Sequence, residues 1–286
     1  MTAFVYGLVR RVHGGMPLDD ITGDSVSFIG TATTLIRLGG FTVLTDPNFM
    51  HQGQWSYFGQ GLFSRRRTEP AAQPADLPPL TAVVVSHLHG DHFDRVARRE
   101  LDREVPVVTT GHAAKSLERS GFRSCLGLRT WDTQAFTEGD ATLRVTAVPA
   151  RHTAGPLNLL LPAVNGNVLE YQASAGATPL RIYISGDTVY HQDLAQIRER
   201  FPLLDVALLH LGGTRVLGVL LSMDHKQGVD AIELLRPASV VPIHYDDYGL
   251  FMSPVSNFLT EVRDRKPAAE VRLLHRGDSL PLTQAG

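Results

Sequence analysis

The chain has 286 residues, of which 43% are hydrophobic and 20% are charged, and its formal net charge is −2. This composition is typical of a globular protein with a sizeable core, and the near-neutral charge argues against a nucleic-acid partner. The single cysteine, Cys125, excludes an intrachain disulfide and fits a reducing compartment. No apolar run approaches the roughly 18 residues that cross a bilayer. We therefore expect a cytoplasmic protein without a transmembrane segment.

Short strands and helices are predicted along the whole chain. Strands Val26–Ile29, Thr34–Leu38 and Thr42–Thr45 come first, with a Gly-Gly hairpin turn between the last two. The elements expected next are strand Ala82–Val85, helix Phe93–Leu101, strand Pro106–Thr109, helix Ala113–Ser120, and strands Thr142–Val148, Leu157–Leu161 and Arg181–Ser185. The second half adds helix His191–Arg200, strand Val206–His210, helix Asp224–Arg236, strand Ser239–Ile243, helix Pro254–Arg265 and strand Val271–Leu274.

The order of these elements indicates the fold class. Strands that meander at first and later alternate with helices predict an α/β protein with two mixed sheets in the middle and helices outside. No linker of suitable composition divides the chain, so we expect one domain over residues 1–286, with a core of about 25–280.

The stretch VVVSHLHGDHFD, Val83–Asp94, places three histidines and an aspartate within six residues at the end of a predicted strand. A glycine marks a turn, so His87, His89, Asp91 and His92 should emerge together. Converging imidazoles and a carboxylate are costly to desolvate unless a cation binds them. With 12 histidines in 286 residues, composition alone produces this motif about once in a thousand such chains. The motif therefore predicts a metal site.

Three further donors follow predicted strands in the same manner. His152 comes shortly after one strand, Asp187 follows another through a glycine turn, and His244 ends the segment VVPIH. Loops at strand ends often carry chemistry, and four neighbouring residues cannot surround two metal ions. We therefore expect these three side chains to complete the site.

The order of the segments TDP, SHLHGDH, His152, GDT and PIH resembles the five motifs of the metallo-β-lactamase fold superfamily. Within it, FIGTATTLIRLGGFTVLTDP is similar to the branch of L-ascorbate-6-phosphate lactonase and N-acylphosphatidylethanolamine phospholipase D. The resemblance runs from about Ser25 to Tyr248 and implies a four-layered α/β/β/α sandwich. It also implies two divalent metal ions, zinc first, with Mn²⁺ or Fe²⁺ as alternatives. The implied ligands are His87, His89 and His152 for one ion, Asp91, His92 and His244 for the other, and Asp187 as the bridge.

The resemblance also implies a reaction class. Two metal ions can generate a metal-bound hydroxide at neutral pH and polarise the bond under attack, which suits hydrolysis of an ester, lactone, amide or phosphodiester. Asp91 or Asp187 would shuttle a proton to the leaving group. Asp46, in LTDP, would orient a ligand without touching a metal ion. We favour a phosphodiester, such as a phospholipid-like molecule, or a lactone.

Substrate contacts are expected from three parts of the sequence. The aromatic segment WSYFGQGLF, Trp55–Phe63, is either packed core or an apolar lid, and it offers Trp55, Tyr57 and Phe58 as contacts. His191 and His210 are further candidates, with structural roles as the alternative. The basic run Arg65–Arg67 is either a solvated loop or a phosphate contact.

Functions of other classes remain open on the sequence alone. A metal-free binding scaffold of the same fold is the first alternative, and a di-iron oxidoreductase is the second. A nuclease is the third, and the near-neutral charge argues against it. We expect a small-molecule or lipid-like substrate, and a homo-oligomer stays among the alternatives.

Overall fold

Two large β-sheets lie face to face in the computed structural model of this chain, and α-helices cover both outer surfaces. The structure describes residues 9–12, 23–59, 61–155, 158 and 161–282. This four-layered arrangement confirms the predicted α/β/β/α sandwich. In the described part of the chain, no helix is both long and apolar enough to span a membrane.

The elements are numbered in chain order. The α-helices are α1 (Arg95–Glu100), α2 (Gly111–Arg119), α3 (Ala195–Arg200), α4 (His225–Leu235) and α5 (Val255–Arg265). The strands are β1 (Val9–Val12), β2 (Ser25–Gly30), β3 (Thr33–Leu38), β4 (Phe41–Thr45), β5 (Trp55–Tyr57), β6 (Phe63–Arg65), β7 (Ala82–Val84), β8 (Val107–Thr110), β9 (Cys125–Leu128), β10 (Thr133–Glu138), β11 (Ala141–Val148), β12 (Gly166–Gln172), β13 (Leu180–Ile184), β14 (Val206–His210), β15 (Arg215–Val216), β16 (Val219–Leu220), β17 (Ser239–Ile243), β18 (Glu270–Leu274) and β19 (Ser279–Pro281).

Each sheet combines antiparallel and parallel pairing. Over the described residues, one sheet has seven strands in the order β19-β2-β3-β4-β7-β8-β9, and the other has eight in the order β1-β18-β17-β14-β13-β12-β11-β10. Strands β4, β7 and β8 run parallel, as do β13, β14, β17 and β18. Their carboxyl ends, where loops carry function, therefore meet at one edge of the sandwich.

Three apolar clusters hold the four layers together. The inner faces of the sheets share one cluster, which includes Val26, Ile36 and Leu208. Helices α1 and α2 cover the seven-stranded sheet, with Leu117 among the buried contacts, and helices α3, α4 and α5 cover the eight-stranded sheet. A strand that is covered on both faces has a continuous apolar sequence, which explains why VVV and VALLH are recognisable as strands.

Several elements differ from the prediction. Helix α1 begins at Arg95 rather than at Phe93, because the Asp94 side chain accepts a hydrogen bond from the Ala97 backbone N–H and caps the helix. The segment predicted as helix His191–Arg200 starts with the short 3₁₀-helix Gln192–Leu194. Most of the predicted strand Leu157–Leu161 lies outside the described residues. The prediction of one domain over residues 1–286 stays a prediction.

Strands that the sequence analysis did not predict are of two kinds. Hairpins β5–β6 and β15–β16 are very short, edge strand β9 is mostly half-buried, and edge strand β10 is largely exposed. Such strands lack the apolar run or clean alternation that would identify them. The other unpredicted strands are β1, β12 and β19.

The inner cluster should dominate the free energy of unfolding. Leu208 is fully buried between the sheets, whereas Leu203 is 69% exposed. We expect Leu208→Ala to lower the free energy of unfolding by about 2–5 kcal/mol, because it leaves a cavity between two rigid sheets. The control Leu203→Ala should change it by less than about 0.5 kcal/mol. Denaturant titration measures both, and equal effects would contradict this account of the core.

Candidate metal centre

All the predicted metal-binding side chains lie together at the carboxyl edge of the sandwich. Strands β4 and β7 deliver Asp46 and the histidine motif from one sheet. Strands β11, β13 and β17 deliver the remaining donors from the other sheet. Their side chains form one cluster that consists of His87, His89, Asp91, His92, His152, Asp187 and His244, with Asp46 and His210 in contact with it.

One group within the cluster contains three histidines. The nitrogen atoms that His87, His89 and His152 offer all lie within 4.8 Å of one another. His87 Nε2 lies 2.8 Å from His89 Nδ1, and the His87 and His152 ring centroids are 4.6 Å apart. Three imidazole nitrogens at this spacing fit one divalent transition metal ion.

A second group combines two carboxylates with two histidines. His244 Nε2 lies 3.0 Å from Asp91 Oδ2, and His92 Nε2 lies 3.4 Å from Asp187 Oδ2. All four side chains are buried. Mixed oxygen and nitrogen donors fit a second divalent ion, and Asp187 stands in the group with both histidines.

Side chains behind the cluster orient the histidine rings. Ser86 Oγ lies 3.0 Å from His87 Nδ1 and 3.1 Å from His92 Nδ1, and His152 Nδ1 lies 3.5 Å from the Leu221 carbonyl oxygen. A ring held at Nδ1 presents Nε2 to the centre of the cluster, which sets both its tautomer and its orientation. The sequence analysis missed Ser86, although it stands directly before the motif.

Asp46 lies behind the motif, as expected for a residue that orients a ligand. Its Oδ2 is 3.2 Å from His92 Nδ1 and 3.5 Å from His210 Nε2, and its Oδ1 accepts a hydrogen bond from the Ser86 backbone N–H at 2.7 Å. Burial alone would raise the pKa of this carboxyl group, but His92 and His210 outweigh burial and lower the pKa to about 2. Asp46 is therefore a fixed negative charge behind His92.

Burial favours neutral imidazole at the three-histidine group. It lowers the pKa of His87 well below its usual range, and it lowers the pKa of His152 to about 4 against the opposing effect of Asp187. The pKa of His89 is lowered by burial as well. Neutral imidazole is the form that binds a metal ion, so these rings are already in the ligand state at neutral pH.

Carboxylates reverse the balance at His92. Burial would lower its pKa, but Asp187, Asp91 and Asp46 outweigh burial and raise it well above the usual value. The pKa of Asp187 is lowered because His244 and His92 outweigh the effect of its burial. A proton and a metal ion compete for the same nitrogen of His92, and the surrounding negative charge attracts either cation.

Unpartnered atoms provide a direct test of whether the cluster fits metal ions. Within the described residues, the following buried atoms have no hydrogen-bond partner: Asp91 Oδ1, His92 Nε2, His152 Nε2, Asp187 Oδ1, His210 Nε2 and His244 Nδ1. Buried polar atoms are normally satisfied, and here several of them converge on one place. The donor set of imidazoles and carboxylates is the one that zinc and related divalent ions accept. The residues therefore fit a metal centre.

A cavity of about 1150 Å³ opens onto the cluster. His89, His152 and Asp187 lie in its wall, so a molecule in the cavity would reach the candidate metal centre. Much of the remaining described wall is apolar, and it includes Phe58 and Leu62. This cavity is the candidate substrate site.

The other predicted contacts lie in different places. Trp55 and Tyr57 stand on the outside of hairpin β5–β6, 56% and 49% exposed, and are not part of the cavity wall. The predicted loop Trp55–Phe63 is therefore a hairpin whose turn, rather than its strands, faces the cavity. His191 lies before the 3₁₀-helix Gln192–Leu194, 3.9 Å from Asp193, and is also not part of the wall. His210 is fully buried behind Asp46, away from the cavity wall.

The basic run is not a uniformly solvated loop. Arg65 and Arg67 are exposed, but Arg66 is buried, because its guanidinium donates a hydrogen bond to the Asn48 carbonyl oxygen at 2.9 Å and lies 3.7 Å from Asp247 Oδ1. A substrate phosphate cannot reach a guanidinium that is enclosed in this way. The two outer arginines are exposed, but neither belongs to the described cavity wall.

A four-layered sandwich with a histidine–carboxylate cluster at one edge defines a class of metal-binding enzymes. The family model described as "Beta-lactamase superfamily domain" matches residues 42–245, so the chain belongs to that superfamily. It is 30% identical over 263 residues to a UPF0173 metal-dependent hydrolase of Pelotomaculum thermopropionicum, covering 90% of this chain and 99% of the relative. It is 26% identical over 258 residues to a UPF0173 metal-dependent hydrolase of Pyrococcus horikoshii, again covering 90% of this chain and 99% of the relative.

Solved structures agree with this assignment at the level of the fold. An isothiocyanate hydrolase from Delia radicum gut bacteria superposes with a TM-score of 0.76 at 19% identity, covering 90% of this chain and 99% of that one. The chain is thus a metal-dependent hydrolase of the metallo-β-lactamase superfamily.

Asp46 provides a test of how the cluster is supported. We expect Asp46→Ala to weaken metal binding by about 10–100-fold while the fold is kept, because His92 loses the carboxylate that orients its ring. Titration with a competing chelator measures the affinity, and circular dichroism checks the fold. The control Asp264→Ala removes an exposed carboxylate on α5 and should change nothing. Unchanged affinity in Asp46→Ala would mean that His92 is held by other contacts.

Proposed function

We propose that the chain is a hydrolase that uses two divalent metal ions, zinc first, at the carboxyl edge of the sandwich. The unpartnered buried atoms that converge in the cluster support this proposal most directly. The ligands we propose are His87, His89 and His152 for one ion, and Asp91, His92 and His244 for the other, with Asp187 between them.

Two bound divalent ions would supply a water with a pKa lowered to ~7 and a Lewis acid for the carbonyl or phosphoryl oxygen under attack. The protein contributes position and proton transfer. Asp187 lies in the cavity wall, and its Oδ1 has no hydrogen-bond partner among the described residues. A carboxylate at this place can accept a proton from water and deliver it to a leaving group. Asp91, whose Oδ1 is also unpartnered, is the second candidate for this role.

The substrate we propose is a phosphodiester, such as a phospholipid-like molecule, or a lactone, in either case with an apolar portion. Phe58, Leu62 and Leu88 give the cavity an apolar wall on one side, and hairpin β15–β16 contributes Val216 and Val219. Burying a methylene group on such a surface contributes about 0.8 kcal/mol. Affinity should therefore rise with the length of an alkyl chain on the substrate.

Asp187→Ala tests the proposed role of the central carboxylate. We expect kcat/KM to fall by more than about 100-fold, because the variant loses both a ligand and a proton-transfer group. Hydrolysis is measured on a panel of p-nitrophenyl phosphodiesters, lactones and isothiocyanates, and circular dichroism checks the fold. The control Asp140→Ala, in the exposed turn between β10 and β11, should keep full activity. Full activity in Asp187→Ala would refute the assignment.

A homologous substrate series tests the apolar cavity. We expect kcat/KM to climb with alkyl length in the wild type, and the slope to be reduced in Leu62→Ala, whose side chain is removed from the cavity wall. The matched control is Trp55→Ala, which truncates a side chain of the same hairpin that is not in the wall. A flat response in the wild type would remove the apolar substrate. A slope reduced only by Trp55→Ala would place the apolar contact on the outer face of the hairpin.

A further inference from the structure

Helix α1 brings one permanent cation into the wall of the substrate cavity. Arg98, in the last turn of α1, is half-buried and belongs to the described wall together with Ser116 of α2. Within the described wall, only Arg98 and Asp187 stay charged throughout the neutral pH range, and Asp187 belongs to the metal cluster. A half-buried guanidinium in a largely apolar cavity wall is a candidate contact for an anionic group.

The guanidinium is held in place without being neutralised. Its Nη1 donates a hydrogen bond to Ser120 Oγ, and the Ser120 hydroxyl in turn donates to the Ser116 carbonyl oxygen at 2.9 Å. Its Cζ lies 5.7 Å from the centre of the Phe93 ring. No carboxylate of the described residues lies within ion-pair distance of Arg98. The side chain is therefore oriented, and its charge remains available.

A second arginine increases the positive charge at this place. Arg103 stacks over Phe122, with its Cζ 4.4 Å from the ring centroid, and the Phe122 ring packs edge-on against Phe93. Arg103 Nη1 is buried and has no hydrogen-bond acceptor in the part of the chain that the structure describes. Burial, and after it the charge of Arg103, lower the pKa of the Arg98 guanidinium from its usual value. An anion bound here would offset both the desolvation of the Arg98 guanidinium and its repulsion by Arg103.

The position of Arg98 relative to the metal cluster limits the shape of a ligand. Helix α2 starts at the carboxyl edge of β8, and Ser116 lies further along it than His112, which is also in the wall. Arg98 Nη1 reaches Ser120, directly after the end of α2, and the nine helical residues of α2 at about 1.5 Å per residue place Ser120 roughly 14 Å from the carboxyl edge of β8. The rest of the described cavity wall is mostly apolar and includes Leu88, Ala113 and Leu161.

We propose that Arg98 binds an anionic group of the substrate, on the side of the cavity remote from the bond that is hydrolysed. The substrate class is then an amphipathic anion, with a hydrolysable group at one end, an apolar middle and a carboxylate, sulfonate or similar anion at the other. This inference adds a substrate class to the proposed hydrolase function. Only the hydrolysable end of the substrate depends on that function. The anion site itself is a property of α1 and α2.

Ligand binding tests the anion site without requiring turnover. Octane-1-sulfonate and octan-1-ol have the same chain, and a sulfonate is a weaker metal ligand than a carboxylate. Isothermal titration of the metal-loaded protein should give a Kd for the sulfonate that is lower by about tenfold or more. Arg98→Gln should remove this preference, Arg98→Lys should restore part of it, and the exposed neighbour variant Arg99→Gln should keep it.

Two results would overturn the anion site. The first is equal affinity of the wild type for the two ligands. The second is a sulfonate preference that persists in correctly folded Arg98→Gln, which would place the anion at the metal cluster. Thermal unfolding of each variant verifies the fold, and Arg98→Met, which keeps an unbranched side chain without the charge, gives the same test if the Gln variant is unstable.

Kinetics then separate this inference from the hydrolase proposal. Mono-p-nitrophenyl suberate carries a terminal carboxylate, and its methyl-capped analogue does not. We expect Arg98→Gln to raise KM for the anionic ester by about tenfold with kcat little changed, and to leave the neutral ester unaffected. Turnover of neither ester by the wild type would count against the hydrolase proposal on esters, whereas the binding result would still decide the anion site.

Discussion

The buried cluster of histidines and carboxylates is the constraint on which the rest of the structure depends. Asp46, Asp91 and Asp187 are almost completely excluded from solvent, in contact with imidazole rings at the edge of two sheets. Burying such charges costs several kcal/mol per ion unless cations balance them. The fold therefore brings strand ends from both sheets to one place, and the donor atoms that remain unpartnered face one another there.

Strained backbone holds part of this cluster, and a buried network supports the strain. His244 and Thr31 have φ values of 58° and 55°, in the left-handed region that non-glycine residues avoid. The His244 backbone N–H donates to the Thr31 carbonyl oxygen at 2.7 Å, and the Thr31 N–H donates to Asp247 at 3.0 Å. Arg66 lies beside the same Asp247 carboxylate and also contacts Asn48. Arg66 thus stabilises the loop that carries His244, which accounts for the burial of this one arginine of the run.

The fold class and the donor cluster were predictable from the sequence, because their signals are local. The motif that contains His87 and His92 follows a β-branched strand directly, and His244 ends another, so strand ends identify both. Of the supporting residues, Asp46 was expected from the resemblance, whereas Ser86 and Arg66 were not predicted. Ser86 and Arg66 act through contacts with side chains and backbone atoms that only the tertiary structure brings near them. The cavity wall depends on two short hairpins, whose strands are too short to show a period.

Metal stoichiometry tests most directly whether this cluster holds two divalent metal ions. Protein purified without chelator, or reloaded with zinc, should contain close to two equivalents per chain by plasma emission spectrometry, since seven donors exceed the three or four that a mononuclear zinc site uses. Iron in place of zinc would keep the dinuclear centre and change its chemistry. A content that stays near zero or at one equivalent after addition of zinc and manganese would contradict the account.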